Sequence, residues 1–169
     1  MSGMLLAYTP NVDYRTQYGG LRRVAGSDAR VRDPSISDRR ILIVEDDPAT
    51  LHALLELVPG WGYSVDSAGE GQRALMLIEE SCPDVMLLDL NLPGGDGFSL
   101  LEALRGRGIT VPTIVISARS TAADIARCSV LGAKHHLRKP VDPRHLRLLI
   151  AELYSQLEVA RHRNLDTGN

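Results

Sequence analysis

Glu45 and Asp46, Asp89, Ser117, and Lys139 followed by Pro140 are the residues whose types and spacing fit them to act together. Each follows a short apolar run: residues 41–44, 85–88, 113–116, and a weaker stretch ending at Leu137. Three carboxylates on one rim repel one another, by roughly 4 kcal/mol for two unit charges about 4 Å apart at an effective dielectric near 20. Such a pocket needs a cation, and an all-oxygen donor set of this hardness suits Mg²⁺. The alternative is one acid kept protonated with a raised pKa. An ion on Asp46 and Asp89 would keep positions open for water and a phosphoryl oxygen. Lys139 adds a second positive charge and Ser117 a hydroxyl donor. Phosphoryl transfer needs these parts: an in-line nucleophile, a metal and fixed donors for the equatorial oxygens. Asp89, on the expected central strand, is the candidate nucleophile, because aspartyl phosphates are established covalent intermediates.

The elements that must bring these groups together follow from the pattern. Apolar runs separated by helix-length segments read as parallel strands buried on both faces. The carboxyl ends of such strands share one edge, and ligands bind there. Strands are expected at 41–44, 63–67, 85–88, 113–116 and 134–137. Helices are expected from about Pro48 to Pro59-Gly60, over 70–80, 98–105 and 122–131, and from Asp142-Pro143 onward. Pro48 suits a first helical turn, with Leu51, Leu54, Leu55 and Val58 as the buried stripe. Ala74, Leu75 and Ile78 are the inward positions of the second helix. Asp47 reads as the cap of the first helix, in preference to a metal ligand.

Composition bounds the rest. The chain has 169 residues, 44% of them apolar, enough for one well-buried domain with tails. A net charge of −2 gives no whole-chain case for nucleic acid or membrane binding, and no apolar run is long enough to span a bilayer. Two cysteines, Cys82 and Cys128, make no disulfide framework and read as reduced thiols of a cytoplasmic protein. Residues 1–38 are rich in Gly, Ser, Arg and Asp without sustained period, and are expected to form a disordered leader.

The stretches ILIVEDDP (41–48), VMLLDLNLPGGDG (85–97), TIVISA (113–118) and Gly132-Ala133 leading to Lys139-Pro140 resemble the receiver domain of two-component response regulators. The resemblance covers about 40–157 and divides the chain into a leader (1–38), a receiver (39–157) and a helix end with tail (158–169). It implies an α/β, doubly wound (βα)5 fold with a five-stranded parallel sheet in the order 2-1-3-4-5. It implies that Asp89 accepts a phosphoryl group from a phosphohistidine on a sensor histidine kinase or histidine phosphotransfer protein. Glu45, acting through water, Asp46, Asp89 and the backbone carbonyl of Asn91 would hold Mg²⁺. Ser117 would be the switch hydroxyl and Lys139 the phosphoryl contact, preceding Pro140 through a cis peptide. Self-phosphorylation and slow autodephosphorylation are the only catalysis implied, with output by protein contacts on the helix 4, strand 5, helix 5 face.

Two departures stand out. His136 occupies the position where receivers usually carry Tyr or Phe, and an imidazole there can carry charge near neutral pH. Lys134 and His135 stand where many DNA-binding members carry acids, so that face is more basic here. In the last helix Leu146, Leu149, Ile150, Leu153, Leu157 and Ala160 continue a stripe past the expected core, which points to a partner contact, as a dimerising helix or the stub of a signalling linker. The rival expectation is a long helix fraying into a polar tail from Arg161. Competing readings of the whole chain are a phosphorylation-independent interaction module, a receiver fragment of a larger transcriptional regulator, and a nucleic-acid binder acting through the leader arginines.

Overall fold

The computed structural model describes residues 39–93, 97–118 and 120–166; the expected leader, 1–38, lies outside the described residues. Strands β1 (Arg40–Val44), β2 (Ser64–Ala68), β3 (Val85–Asp89), β4 (Thr113–Ser117) and β5 (Ala133–Arg138) form one parallel sheet in the order β2-β1-β3-β4-β5. Helices α1 (Pro48–Gly60), α2 (Gly71–Ser81), α3 (Gly97–Gly106), α4 (Ala122–Val130) and α5 (Pro143–Asp166) connect and flank it. This is the expected doubly wound α/β arrangement.

The three inner strands are buried almost throughout, which explains their unbroken apolar sequences. Their side chains alternate between two layers, as the period of two along a strand requires. Leu42, Val44, Met86, Leu88 and Val115 pack with α2, α3 and Cys128 of α4. Ile41, Ile43, Val85, Leu87, Ile114 and Ile116 pack with α1 and α5. The edge strands β2 and β5 are only partly buried, so their sequences carry a weaker apolar signal.

The structure corrects several local expectations. Leu55 is 37% exposed, while Leu54 and Val58 are buried. One residue on from Leu54 is a rotation of about 100°, which takes Leu55 off the stripe. Pro59 lies inside α1, whose end is formed by the Trp61 amide on the Val58 carbonyl (3.1 Å) and by Gly62 at φ +93°. A proline in the last turn forfeits one helical donor without preventing that turn from closing. Asp89 and Ser117 are the last residues of their strands, not the first beyond them. Helix α5 runs to Asp166, past the polar tail expected from Arg161. Leu157 is partly buried against its own domain, and Ala160 is exposed.

Candidate functional site: an acidic pocket at the strand ends

Parallel register brings the expected residues to one edge. Glu45 follows β1, and its amide donates to the Ala68 carbonyl at the end of β2 (3.0 Å). Asp89 ends β3 in register with Ile116, one residue before Ser117 at the end of β4. The amide of Lys139, one residue beyond β5, donates to the Ser117 carbonyl (3.0 Å). Backbone ladders therefore set where all four side chains start, and the Lys139-Pro140 peptide is cis.

The side chains meet. Lys139 Nζ lies 2.6 Å from Asp89 Oδ2 and 2.7 Å from Glu45 Oε2. The other Asp89 oxygen accepts the Asn91 amide at 3.0 Å, and Glu45 Oε1 accepts the Asp47 amide at 3.2 Å. Glu45, Asp89 and Ser117 are buried, while Asp46 is exposed at the rim. One carboxylate oxygen from each of Glu45, Asp46 and Asp89 falls within 4.8 Å of the others.

One ammonium does not neutralise three acids. Burial pushes the Glu45 carboxyl above its ordinary range; Lys139 pulls it back, and Asp89 adds to the upward push. Burial pulls the Lys139 ammonium down, but hydrogen bonds to Asp89 and Glu45 outweigh it and leave the group more basic than usual. A cluster of hard oxygen donors with excess negative charge is chemically matched to a small divalent cation. Glu45, Asp46 and Asp89 form an acidic group that could hold such an ion.

The neighbouring residues sort as follows. Asp47 caps α1: its Oδ2 accepts the Thr50 amide (2.8 Å) and hydroxyl (2.7 Å). His136 pairs in register with Val115, and its Nε2 is buried without a hydrogen-bond partner among the described residues. Burial holds this imidazole below its usual pKa, partly offset by Asp124 of α4. His135 Nε2 sits 3.8 Å from Glu152, and no metal-ligating cluster surrounds either histidine among the described residues. Cys82 and Cys128 are free thiols.

Gly97 closes the loop motif of residues 85–97, but its steric role is not readable from sequence. A Cβ there would lie 2.5 Å from the Asp89 carbonyl oxygen and 2.9 Å from Leu90 Cα. The start of α3 thus sits directly on the backbone of Asp89, held by the Gly97 amide on the Leu90 carbonyl (2.7 Å). Its only sequence signal is a third glycine in a glycine-rich loop.

Residues 41–151 match the family described as the response regulator receiver domain. The chain is 34% identical over 108 residues to the DNA-binding response regulator MtrA of Mycolicibacterium smegmatis, covering 64% of this chain and 47% of that protein. It is 33% identical over 107 residues to the sensor histidine kinase RcsC of Salmonella typhimurium, covering 63% of this chain and 11% of that protein. It thus spans about half or less of the length of these relatives. Among solved structures, a CheY-like receiver domain protein from Methanospirillum hungatei superposes with a TM-score of 0.66 at 31% identity, covering 71% of this chain and 97% of that one. The receiver domain of Francisella response regulator 1452 gives 0.65 at 28% identity, covering 70% and 98%. With the sheet order and the strand-end acids, these matches establish that the chain belongs to the response regulator receiver domain family.

Proposed function

We propose that the chain is a phosphorylation-controlled switch in which Asp89 accepts a phosphoryl group from a phosphohistidine of a sensor histidine kinase or histidine phosphotransfer protein. The observation that carries this reading is the Lys139 ammonium set between Asp89 and Glu45 inside a three-acid cluster. Such a cation can leave one carboxylate oxygen for another without leaving the site. An Asp89 oxygen attacks phosphorus, the P–N bond breaks, and the donor nitrogen keeps the electron pair and takes up a proton. Lys139 then pairs with a phosphoryl oxygen, and the Ser117 hydroxyl donates to another. Attack by water on phosphorus releases inorganic phosphate and restores the carboxylate. Glu45, Asp46, Asp89 and the Asn91 carbonyl would hold Mg²⁺, which supplies charge neutralisation for the phosphoryl oxygens. The chain turns over only its own phosphoryl group and is not otherwise an enzyme.

An apolar groove of about 560 Å³ lies beside Lys139, between α1 and the start of α5, lined by Ala49, Ala53, Leu54, Pro140 and Val141. It suits docking of the phosphodonor protein beside Lys139. Output passes through the α4–β5–α5 face, where Ile125 (41%) and Leu148 (69%) are exposed, to a downstream protein or a second copy of the chain. No helix of the described residues is long and apolar enough to cross a membrane. The free thiols fit a cytoplasmic setting, and no direct contact with nucleic acid is part of the proposal.

Intact-mass spectrometry after incubation with Mg²⁺ and acetyl phosphate tests the reading. One added phosphoryl group is expected, absent without Mg²⁺ and absent in Asp89→Asn. No adduct in the wild type, with Mg²⁺ binding confirmed and hydrolysis too slow to hide one, would replace the switch by a phosphorylation-independent interaction module.

A further inference from the structure

Helix α4 is the least anchored element of the sandwich. Of its nine residues one, Cys128, is buried, and its main partner in the sheet is the partly buried edge strand β5. Ile125 and Val130 are exposed, and beneath the helix lies His136, whose buried Nε2 has no partner among the described residues. Besides its packing on β5, α4 is tied by side chains to α3. The Arg127 guanidinium stacks over the Phe98 ring, 4.2 Å from its centroid, and donates to Glu102 Oε1 at 2.6 Å. Arg105 Nη1 adds a bond to the Val130 carbonyl at the far end of the helix (2.6 Å).

Phe98 is not an arbitrary anchor. It directly follows Gly97, whose backbone lies so close to Asp89 and Leu90 that no side chain fits between them. Gly97 therefore puts the start of α3 in direct contact with the Asp89 backbone, and Phe98 is the next residue along. Phe98 is 8% exposed and packed in the core, so the ring moves with its helix. The pathway is therefore short and made of contacts: Asp89 carbonyl, Gly97, Phe98, Arg127, α4.

We propose that Arg127 is the positioning residue that couples the phosphorylation state of Asp89 to the placement of α4. The inference rests on the reading of Asp89 as phosphoacceptor and adds the route by which its state reaches the output face. Both halves of the tether are of a strength suited to this work. An exposed ion pair and a cation–π contact are each weak enough to be exchanged for another arrangement. The Arg127 and Glu102 side chains are each about half exposed, so neither is locked in place by burial. Transmission by contact through an element with two arrangements is the physical form such coupling takes.

The test is hydrogen exchange of the α4 amides, read by mass spectrometry on the full chain with Mg²⁺ alone and with Mg²⁺ plus acetyl phosphate. Wild type, Arg127→Gln and Glu102→Gln are compared, with phosphoryl occupancy measured by intact mass in the same samples. In the wild type, phosphorylation is expected to change α4 exchange. In both variants, α4 is expected to exchange about fivefold faster before phosphorylation, as loss of a weak local tether implies. The ratio between the two states should then fall to less than half its wild-type value at unchanged occupancy. A merely structural Arg127 would raise exchange equally in both states and leave that ratio intact, which overturns the proposal. So does a phosphorylated wild type whose α4 exchange does not change. A wild type that takes up no phosphoryl group instead overturns the reading of Asp89, and the coupling with it.

Discussion

At the residue scale, Lys139 is, among the described residues, the one ammonium bonded to the buried acids Glu45 and Asp89, and its side chain is itself only 18% exposed. Removing one partner from a buried ion pair leaves an uncompensated charge, so Lys139→Met is expected to cost about 3 kcal/mol in the absence of divalent ions. Urea denaturation measures it, and adding Mg²⁺ should stabilise the variant more than the wild type. His136 gives a pH signature of known sign. Its folded pKa lies below the 6.5 of the free side chain, because burial disfavours the charged ring. The unfolded chain therefore binds the proton first as pH falls. The contribution to stability is whole above pH 6.5 and declines through the folded pKa, by at most about 1.4 kcal/mol per pH unit. His136→Phe removes that slope: wild type minus variant in unfolding free energy should fall between pH 7.5 and 5.5, and a flat difference would contradict it. The pocket residues were legible because each ends or follows an apolar strand, and parallel strands pool their ends. Gly97 and Arg127 were not, since a 2.5 Å approach and a ring stack join segments that no local pattern relates.

At the scale of elements, legibility followed burial. Strands β1, β3 and β4 announce themselves because both faces need apolar residues, and the Ala74, Leu75, Ile78 stripe of α2 is buried as its spacing requires. Helix α1 misled at Leu55 because a leucine one step off the stripe reads like part of it. The joint between β3 and α3 is the element boundary with the strictest steric demand. Gly97→Ala places a methyl against backbone atoms that cannot rotate away, so a loss of about 1–3 kcal/mol is expected, as for overpacking in a filled core. Because those atoms belong to Asp89 and Leu90, the substitution should also slow uptake of phosphoryl from acetyl phosphate. Gly106→Ala is the control: it meets nothing within 4 Å and should leave that rate unchanged.

At the scale of the whole molecule, the long last helix is stitched to the edge of the sheet opposite the acidic pocket. Asp84, buried before β3, accepts the Arg40 amide (2.9 Å) and Arg161 Nη2 (3.2 Å). The Tyr154 hydroxyl donates to the Arg40 carbonyl (3.0 Å), and its ring stacks on Tyr63 with centroids 5.1 Å apart. Arg39 reaches Glu158 at 2.5 Å and also lies over the Tyr154 ring. Leu157 joins the core layer shared by α1 and α5. The apolar stripe read from sequence as wanting a partner is thus covered, up to Leu157, by the chain's own domain. A one-dimensional pattern shows that a face is apolar but not which surface folds back onto it. Ending the chain after Tyr154 removes Leu157, the Arg161–Asp84 pair and the Glu158–Arg39 pair together. It takes the Arg161 pair from Asp84, whose side chain is 2% exposed and still accepts the Arg40 amide. A loss of about 2–4 kcal/mol is expected from these terms together. Calorimetry should show a melting temperature lower by several degrees, and Asp84→Asn in the shortened chain should recover part of the loss. If shortening instead left the melting temperature unchanged and dissociated a dimer seen by light scattering, the extension would serve a second copy of the chain and not its own sheet.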